Sequence, residues 1–129
     1  MAENHASKES IAAETMGEYE GRMAQFGDYT ASFETIPAGF GGPELFKGLP
    51  DDACQSEHWG YLFKGSMRVT FIDGSEETVS GGDAYYLRPG HVVEALETCE
   101  TLEFSPTDEL NQTLEQVGKN LEAMEASAN

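Results

Sequence analysis

The sequence predicts an all-β domain, a small antiparallel barrel or sandwich, with an α-helix at each end. Between residues 57 and 105, short aromatic and β-branched runs alternate with tight-turn dipeptides, a spacing typical of small antiparallel barrels. On both sides of this stretch, apolar residues recur every three or four positions, which is the period of an α-helix. The chain therefore divides into a tail and helix over residues 1–27, a β-barrel over residues 28–105 and a helix over residues 106–129.

The first helix is predicted over about residues 10–26. Its apolar stripe consists of Met16, Tyr19, Met23 and Phe26. Intervals of three, four and three residues place these side chains on one face of a helix. A glycine follows at position 27, where helices commonly end.

The strands are predicted from apolar runs that lie between turns. Residues 28–36 alternate loosely and form the first strand. Residues 37–50 contain three prolines and four glycines, so a loop or an irregular edge is expected there. The turns that follow are Lys64-Gly65, Asp73-Gly74, Gly81-Gly82-Asp83 and Pro89-Gly90. The remaining strands are expected within residues 57–65, 66–73, 77–81, 84–88, 91–97 and 101–105.

The C-terminal helix has clear start signals. Ser105 can cap it, Pro106 suits the first helical position, and Asp108 completes a motif similar to a capping box. Its apolar seam consists of Leu110, Leu114, Val117, Leu121 and Met124. The seam indicates packing against the barrel wall, or pairing with the N-terminal stripe or with a second subunit.

The charge of the chain excludes two classes of partner. The 129 residues include 24 acidic and 7 basic side chains, a net charge of −17, and such a field repels nucleic acid and anionic membrane surfaces. The acidic residues are spread along the chain, which favours a role in solubility or adaptation to a salty cytoplasm. No run is long and apolar enough to span a membrane, and no signal-peptide core is present. We therefore expect a cytoplasmic protein.

Three features of the β-region are similar to those of a known family. A strand ends in a hairpin glycine at Gly65, a Gly82-Asp83 turn follows, and the chain then bends at Pro89-Gly90. In this arrangement, residues 35–106 resemble the cupin superfamily, whose two sequence motifs contain these elements. The resemblance implies a small RmlC-like jelly-roll barrel, a ligand pocket in the barrel and, as is frequent in the superfamily, a homodimer.

The resemblance also assigns positions to the metal ligands of cupins, which are usually three histidines and one glutamate. Counted back from the hairpin glycine, the glutamate falls on His58, one histidine on Cys54 and another on Asp52. Counted on from Pro89-Gly90, the last histidine falls on Val93. The usual ligand set is therefore not present.

A different set, Cys54, His58 and His91, is predicted as a possible metal site. His91 lies two residues before Val93, so both side chains leave the same face of an extended strand. Cys54 and His58 share a face if their segment is extended, and do not if it turns. Sulfur and imidazole ligands suit Zn²⁺ or Fe²⁺ and leave a coordination position for water or substrate. Asp52 is a candidate fourth ligand or a partner that orients a histidine.

Each candidate ligand also has a simpler interpretation. Cys54 can be a small buried apolar group, His58 a core histidine bonded to a backbone carbonyl, and His91 a solvated residue at the barrel rim. Without a metal, His58 can act as a general acid or base, because the pKa of a histidine is easily set near neutrality.

Five further residues are candidates for substrate binding: Trp59, Tyr61, Tyr86, Arg88 and Glu94. Trp59 and Tyr61 also fit packing beneath the N-terminal segment. Arg88 suits a substrate carboxylate, and a surface ion pair is its alternative.

Strand alternation limits two of these assignments. Neighbouring residues point to opposite faces of a strand, so only one of Tyr85 and Tyr86 can face the pocket. Similarly, one of Glu94 and Glu103 is expected to face inwards.

The first functional hypothesis is an enzyme acting on a small polar metabolite inside the barrel, with His58 as its central residue. Its chemistry would be metal-dependent oxygenation or isomerisation, or metal-free acid–base lyase chemistry. The alternative is a non-catalytic module that senses or carries a small ligand or a metal. A third hypothesis is an interaction protein whose helices matter more than its barrel. The sequence leaves all three open.

Overall fold

The computed structural model describes residues 4–128, which contain nine β-strands and one α-helix. The strands are β1 (Glu14–Met16), β2 (Tyr19–Phe26), β3 (Tyr29–Ile36), β4 (His58–Lys64), β5 (Ser66–Phe71), β6 (Glu76–Ser80), β7 (Ala84–Leu87), β8 (His91–Ala95) and β9 (Cys99–Pro106), and the helix is α1 (Thr107–Ala128). Short 3₁₀ turns occur at Lys8–Ser10, Pro43–Phe46 and Pro50–Asp52. Every strand predicted after residue 27 is present.

The strands form two antiparallel sheets that enclose a shared interior. Six strands lie in the order β1-β2-β3-β9-β4-β7, and three lie in the order β6-β5-β8. The last strand, β9, therefore lies between β3 and β4 in the centre of the larger sheet. Two antiparallel sheets followed by one helix match the predicted jelly roll, so the fold class is confirmed apart from the N-terminal helix. No helix in the described part of the chain is long and apolar enough to cross a bilayer.

The helix predicted over residues 10–26 is wrong, because this stretch forms β1 and β2, and β2 pairs with β3. Gly17 and Gly27 have positive φ angles of +62° and +61°, which allow the tight turns after each strand. Tyr19 and Met23 lie four residues apart. That interval returns a side chain to nearly the same face in a helix and in a strand alike, so these two residues fit both structures.

The two sheets share one apolar core. On β5, Met67, Val69 and Phe71 are only 2%, 0% and 5% exposed and alternate with more exposed residues, the period of a strand with one buried face. Leu62 on β4 and Leu87 on β7 pack against them from the larger sheet. This packing leaves the opposite end of the interior free for other side chains.

Helix α1 covers that other end of the barrel. Leu110 and Val117 of the predicted seam are buried, and Val117 packs in one cluster with Leu45. Asn120 Nδ2 donates hydrogen bonds to the carbonyl oxygens of Leu45 and Lys47, at 2.7 and 2.8 Å, which fix the helix to a 3₁₀ turn. The seam therefore packs on the barrel, and its pairing with an N-terminal helix is wrong because that stretch is sheet.

We expect Gly65→Ala to destabilise the protein more than Gly74→Ala. Both glycines have positive φ angles, +98° and +88°, so a side chain is strained at either position by about 1–3 kcal/mol. A Cβ at Gly65 would also lie 2.4 Å from the carbonyl oxygen of Thr98, whereas one at Gly74 meets no atom within 4 Å. Urea unfolding should show an additional loss of about 2 kcal/mol for Gly65→Ala. Equal losses would contradict the close approach of Gly65 to Thr98.

Candidate functional site

An interior cavity of about 110 Å³ lies beneath α1. Most of its lining is apolar, and α1 contributes Leu110, Leu114 and Val117. The lining side chains that carry a polar or ionisable group are Tyr19, Glu34, His58, His91, Glu103 and Thr113. A mainly apolar cavity with a few converging polar groups is the usual form of a small-molecule site.

A backbone bridge places Cys54 beside His91. The Cys54 amide donates to the His91 carbonyl oxygen at 2.8 Å, and the Gly90 amide donates to the Cys54 carbonyl oxygen at 2.8 Å. Four residues later, β4 begins at His58, which lies opposite Leu87 of β7. The segment is thus fixed to β8 in one sheet and continues into β4 of the other. It joins the two sheets beside the cavity.

The structure brings together the three predicted ligands, Cys54, His58 and His91. One ligand atom from each lies within 4.8 Å of the other two, and all three residues are buried. Cys54 Sγ is 3.5 Å from His58 Nε2, and the two imidazole rings meet edge to face with centroids 5.1 Å apart. In a tetrahedral zinc site, bond lengths of about 2.3 Å to sulfur and 2.0–2.1 Å to nitrogen separate these atoms by about 3.5 Å.

Hydrogen bonds orient both histidines for metal binding. His91 Nδ1 donates to the Arg88 carbonyl oxygen at 2.7 Å, and a carbonyl oxygen only accepts, so the lone pair of His91 is on Nε2. His58 Nδ1 bonds Ser105 Oγ at 2.6 Å, which leaves Nε2 directed at Cys54. Metal-binding histidines in proteins typically have such a partner on the second nitrogen. The three residues therefore fit a zinc or iron ion.

Burial keeps the three groups uncharged. It lowers the pKa of His58 to about 4 and, together with the nearby His58, that of His91 to about 4. Burial also raises the pKa of the Cys54 thiol, although its hydrogen bonds with the Thr113 hydroxyl and the Ser56 backbone oppose the shift. Neutral imidazoles are ready to bind a metal, whereas the thiol must release a proton on binding.

Two carboxyl groups, Glu34 and Glu103, interact with each other beside His58. Burial, and then the charge of Glu103, raise the pKa of Glu34 to about 8. Burial also raises the pKa of Glu103. Two adjacent buried carboxyls do not both ionise readily, so they share a proton. Glu103 Oε2 is 3.6 Å from His58 Nδ1. Since burial favours neutral His58, we interpret this contact as part of the polar network rather than as a full ion pair.

A buried tyrosine, Tyr19, and a partly buried one, Tyr85, complete the network. Tyr19 Oη donates to Glu34 Oε2, and Tyr85 Oη donates to Glu103 Oε1 at 2.9 Å. Burial raises the pKa of both phenols, which therefore remain donors. Glu34 and Tyr19 were not predicted for the site from the sequence, whereas Tyr85 and Glu103 were each named as one of two alternatives, beside Tyr86 and Glu94. The alternation of side chains along a strand could have identified the two glutamates, since Glu34 and Glu103 occupy inward positions of the neighbouring strands β3 and β9.

The structure does not bring the predicted substrate-binding residues Trp59, Tyr61 and Tyr86 to the cavity. They lie on the outer face of the larger sheet and are 38%, 43% and 47% exposed. On β4 the even-numbered residues, such as His58, point inwards, so Trp59 and Tyr61 point outwards. On β7 the inward tyrosine is Tyr85. These three residues therefore do not line this cavity, and a role for them in substrate binding stays a prediction.

Arg88 and Glu94 also lie outside the cavity. The Arg88 guanidinium stacks over the Phe71 ring at 3.7 Å, and its Nη2 pairs with Asp73 Oδ2 at 3.4 Å. Glu94 Oε1 pairs with Arg68 Nη2 at 2.6 Å, on the face of β8 opposite to His91. Both side chains form surface ion pairs, the alternative considered for Arg88.

His91 and Val93 share one face of β8, as predicted, whereas Asp52 lies away from the candidate ligands. His91 and Val93 both line the cavity, as expected for residues two apart on a strand. Asp52 is exposed, and its Oδ1 accepts a hydrogen bond from the Gly48 amide at 2.9 Å. Asp52 is therefore a loop residue and not a ligand.

No family model matches the sequence, and no curated protein matches it. Solved structures are similar to it in fold. An RmlC-like cupin from Shewanella frigidimarina NCIMB 400 is 17% identical with a TM-score of 0.60, over 81% of this chain and 92% of that one. Ectoine synthase from P. lautus is 16% identical with a TM-score of 0.60, over 82% and 78%. KdgF from Halomonas sp. is 19% identical with a TM-score of 0.58, over 81% and 94%. The chain thus has the cupin fold, and the predicted resemblance is confirmed at that level.

We expect Glu34→Gln to gain stability over wild type as the pH rises from about 5 to about 8. The pKa of Glu34 is about 8 in the folded state against 4.5 for an ordinary glutamate. Its stabilising effect is therefore complete below pH 4.5 and is lost between pH 4.5 and 8, by up to about 1.4 kcal/mol per pH unit. The amide does not titrate, so it avoids this loss. Urea unfolding of both proteins across this range measures the difference.

Glu77→Gln is the matched control for this experiment. Glu77 is an exposed glutamate on β6, so its replacement should change the unfolding free energy by a similar small amount at each pH. The effect of His91 is common to all three proteins and cancels in the comparison, whereas His58 and Glu103 interact with Glu34 and contribute to the measured difference. A Glu34→Gln difference that does not change with pH would contradict the shared proton.

Proposed function

We propose that this protein binds zinc or iron through Cys54, His58 and His91, and that it is an enzyme acting on a small molecule in the adjoining cavity. The observation on which the proposal rests is the convergence of three ligand atoms to within 4.8 Å, with His58 and His91 in the cavity lining. The uncharged histidines and their bonded Nδ1 atoms support it.

Each residue of the proposed site has a definite task. Cys54 would supply a thiolate, and His58 and His91 neutral nitrogens, leaving a coordination position for water or substrate. When bound, the metal would polarise that ligand. Glu34 and Glu103 hold a proton between them, so they can donate it to a substrate or accept one. The apolar wall and α1 would limit the access of bulk water to a bound ligand, which would strengthen the electrostatic interactions inside.

The cupin fold is compatible with an enzyme, because ectoine synthase has the same fold and is an enzyme by name. Its sequence identity of 16% extends the likeness to the fold only. The reaction and the substrate are therefore to be sought from the residues of this cavity.

Acid–base chemistry without a metal is the second candidate. It is favoured by the chain of contacts from Tyr19 through Glu34 and Glu103 to His58. Such a chain can move a proton within the cavity, as a lyase or an isomerase requires. A non-catalytic carrier of a ligand or a metal would use the same cavity but would have no need of this chain.

Protein purified without an affinity tag should contain about one equivalent of zinc or iron per chain by elemental analysis. His58→Ala should lose most of this metal, because two ligands remain of three. His5→Ala is the matched control: the chain has 3 histidines, and His5 is exposed. The control should retain its metal. A wild-type protein that lacks metal and does not bind added zinc would contradict the proposal and favour the acid–base candidate.

The homodimer stays a prediction. The outer face of the larger sheet offers an apolar surface for it, formed by the exposed side chains of Tyr29, Trp59, Tyr61, Phe63, Tyr86 and Phe104. Light scattering gives the mass in solution and tests the prediction directly.

A further inference from the structure

The charged groups of the cavity point to the class of its ligand. The carboxyls of Glu34 and Glu103 lie in the lining, and no lysine or arginine does. Arg88, which the sequence offered for a substrate carboxylate, is bound to Asp73 on the outside. A carboxylate ligand would therefore meet like charge and no cation from the chain, whereas a cationic ligand would meet two acceptors.

A third acceptor lies next to this pair. Ser32 is 2% exposed, and its Oγ has no hydrogen-bond partner among the described residues. It lies on the same face of β3 as Glu34, and directly opposite Glu103 in the register of β3 and β9. Ser32 is not itself in the cavity lining, but a buried hydroxyl without a partner is costly, which indicates that a polar group reaches this inner row when the cavity is occupied.

We propose that the cavity binds a small primary amine, with its ammonium group held by Glu34, Glu103 and Ser32 and its hydrocarbon part against the apolar wall. An ammonium group has three N–H donors, which matches three acceptors. The inference rests on the proposed function for the location of the ligand, and it names the substrate class of that site.

The size of the cavity limits the amine to a few carbon atoms. A cavity of about 150 Å³ lined by apolar side chains accommodates benzene, and this one measures about 110 Å³. A four-carbon chain with one amino group, five heavy atoms in all, suits this space. The apolar part would contact residues such as Ile36, Phe40 and Leu45, where burial of each CH₂ favours binding.

Titration calorimetry of the full chain at pH 7 with three four-carbon probes tests the proposal. Butylamine should bind about tenfold or more tightly than 1-butanol, since hydrogen bonds to charged groups are the stronger ones. Butyrate should bind more weakly than 1-butanol. The proposal is overturned if butyrate or 1-butanol binds as tightly as butylamine, and this comparison needs no variant.

Variants then test the contributions of Glu34 and Ser32 to butylamine binding. Glu34→Gln should weaken butylamine binding about tenfold and leave 1-butanol binding unchanged, because it removes one of the two carboxyls that share the negative charge but keeps the shape. Glu77→Gln, on the exposed surface of β6, should leave both unchanged. Ser32→Ala should weaken butylamine binding less than Glu34→Gln does, with thermal unfolding confirming that each variant is folded. Equal butylamine affinity in Glu34→Gln and wild type would overturn the role of Glu34.

Chelator-treated protein separates this inference from the metal proposal. An ammonium bound by Glu34 and Glu103 needs no metal, so butylamine should bind the chelator-treated protein with unchanged selectivity. Binding that disappears with the metal would mean that the amine coordinates the ion, which would overturn the inference and leave the metal site intact. Conversely, selective butylamine binding by a protein that takes up no zinc would overturn the metal proposal alone.

Discussion

The inner face of the larger sheet is polar, and its hydrogen bonds are the constraint on which the site depends. Along β3 and β9 the side chains that point inwards include Thr30, Ser32, Glu34, Thr101, Glu103 and Ser105, while aromatic residues of these strands point outwards. Burying such groups is costly unless they bond each other. Most of them do: Thr30 bonds Thr107, Thr101 bonds Tyr85, and Ser105 bonds His58. The row therefore holds its side chains in fixed positions.

This polar row also determines which ring nitrogen of His58 faces Cys54. Its Nδ1 is bonded to Ser105 and lies near Glu103, so its Nε2 is the atom that faces Cys54. On the other side, Cys54 is fixed by backbone hydrogen bonds to His91 and Gly90. The sulfur and the imidazole are thus positioned by two separate parts of the fold, one from each sheet. Changes in the row are expected to alter the geometry of His58 and leave the backbone bridge intact.

The sequence predicted the β-domain well because its turns carry residues with special backbone requirements. Gly65, Gly82 and Gly90 have positive φ angles, and the predicted turns at all three are present. The candidate ligands Cys54, His58 and His91 were predicted for a related reason. The distance of a residue from a turn determines which face of the strand its side chain takes. The strand at residues 10–26 was missed, because its apolar spacing fits a helix as well.

The carboxyl pair was missed for a different physical reason. On β3 and β9 the aromatic residues face outwards, as Phe33 and Phe104 do, whereas Glu34 and Glu103 face inwards. If apolar residues are expected to face the core, the inward face predicted for these strands is the opposite of the observed one. The outer face is partly covered by the N-terminal segment, where Ala6 and Ile11 lie near Phe33. The sequence pattern does not show that the N-terminal segment packs on this outer face. The exchange of apolar and polar faces on β3 and β9 could therefore not be predicted from the pattern.

His58 occupies the position that the resemblance assigns to the glutamate of cupins, and here a glutamate lies behind it. Glu103 Oε2 is 3.6 Å from His58 Nδ1, so a carboxyl remains next to the site but acts through the imidazole. A histidine in this position presents a neutral nitrogen to Cys54 and His91, and the glutamate is left free to pair with Glu34. With a histidine at position 58, the site has two sides. One side presents nitrogen and sulfur atoms, which suit a metal, and the other presents oxygen atoms, which suit protons or a cation.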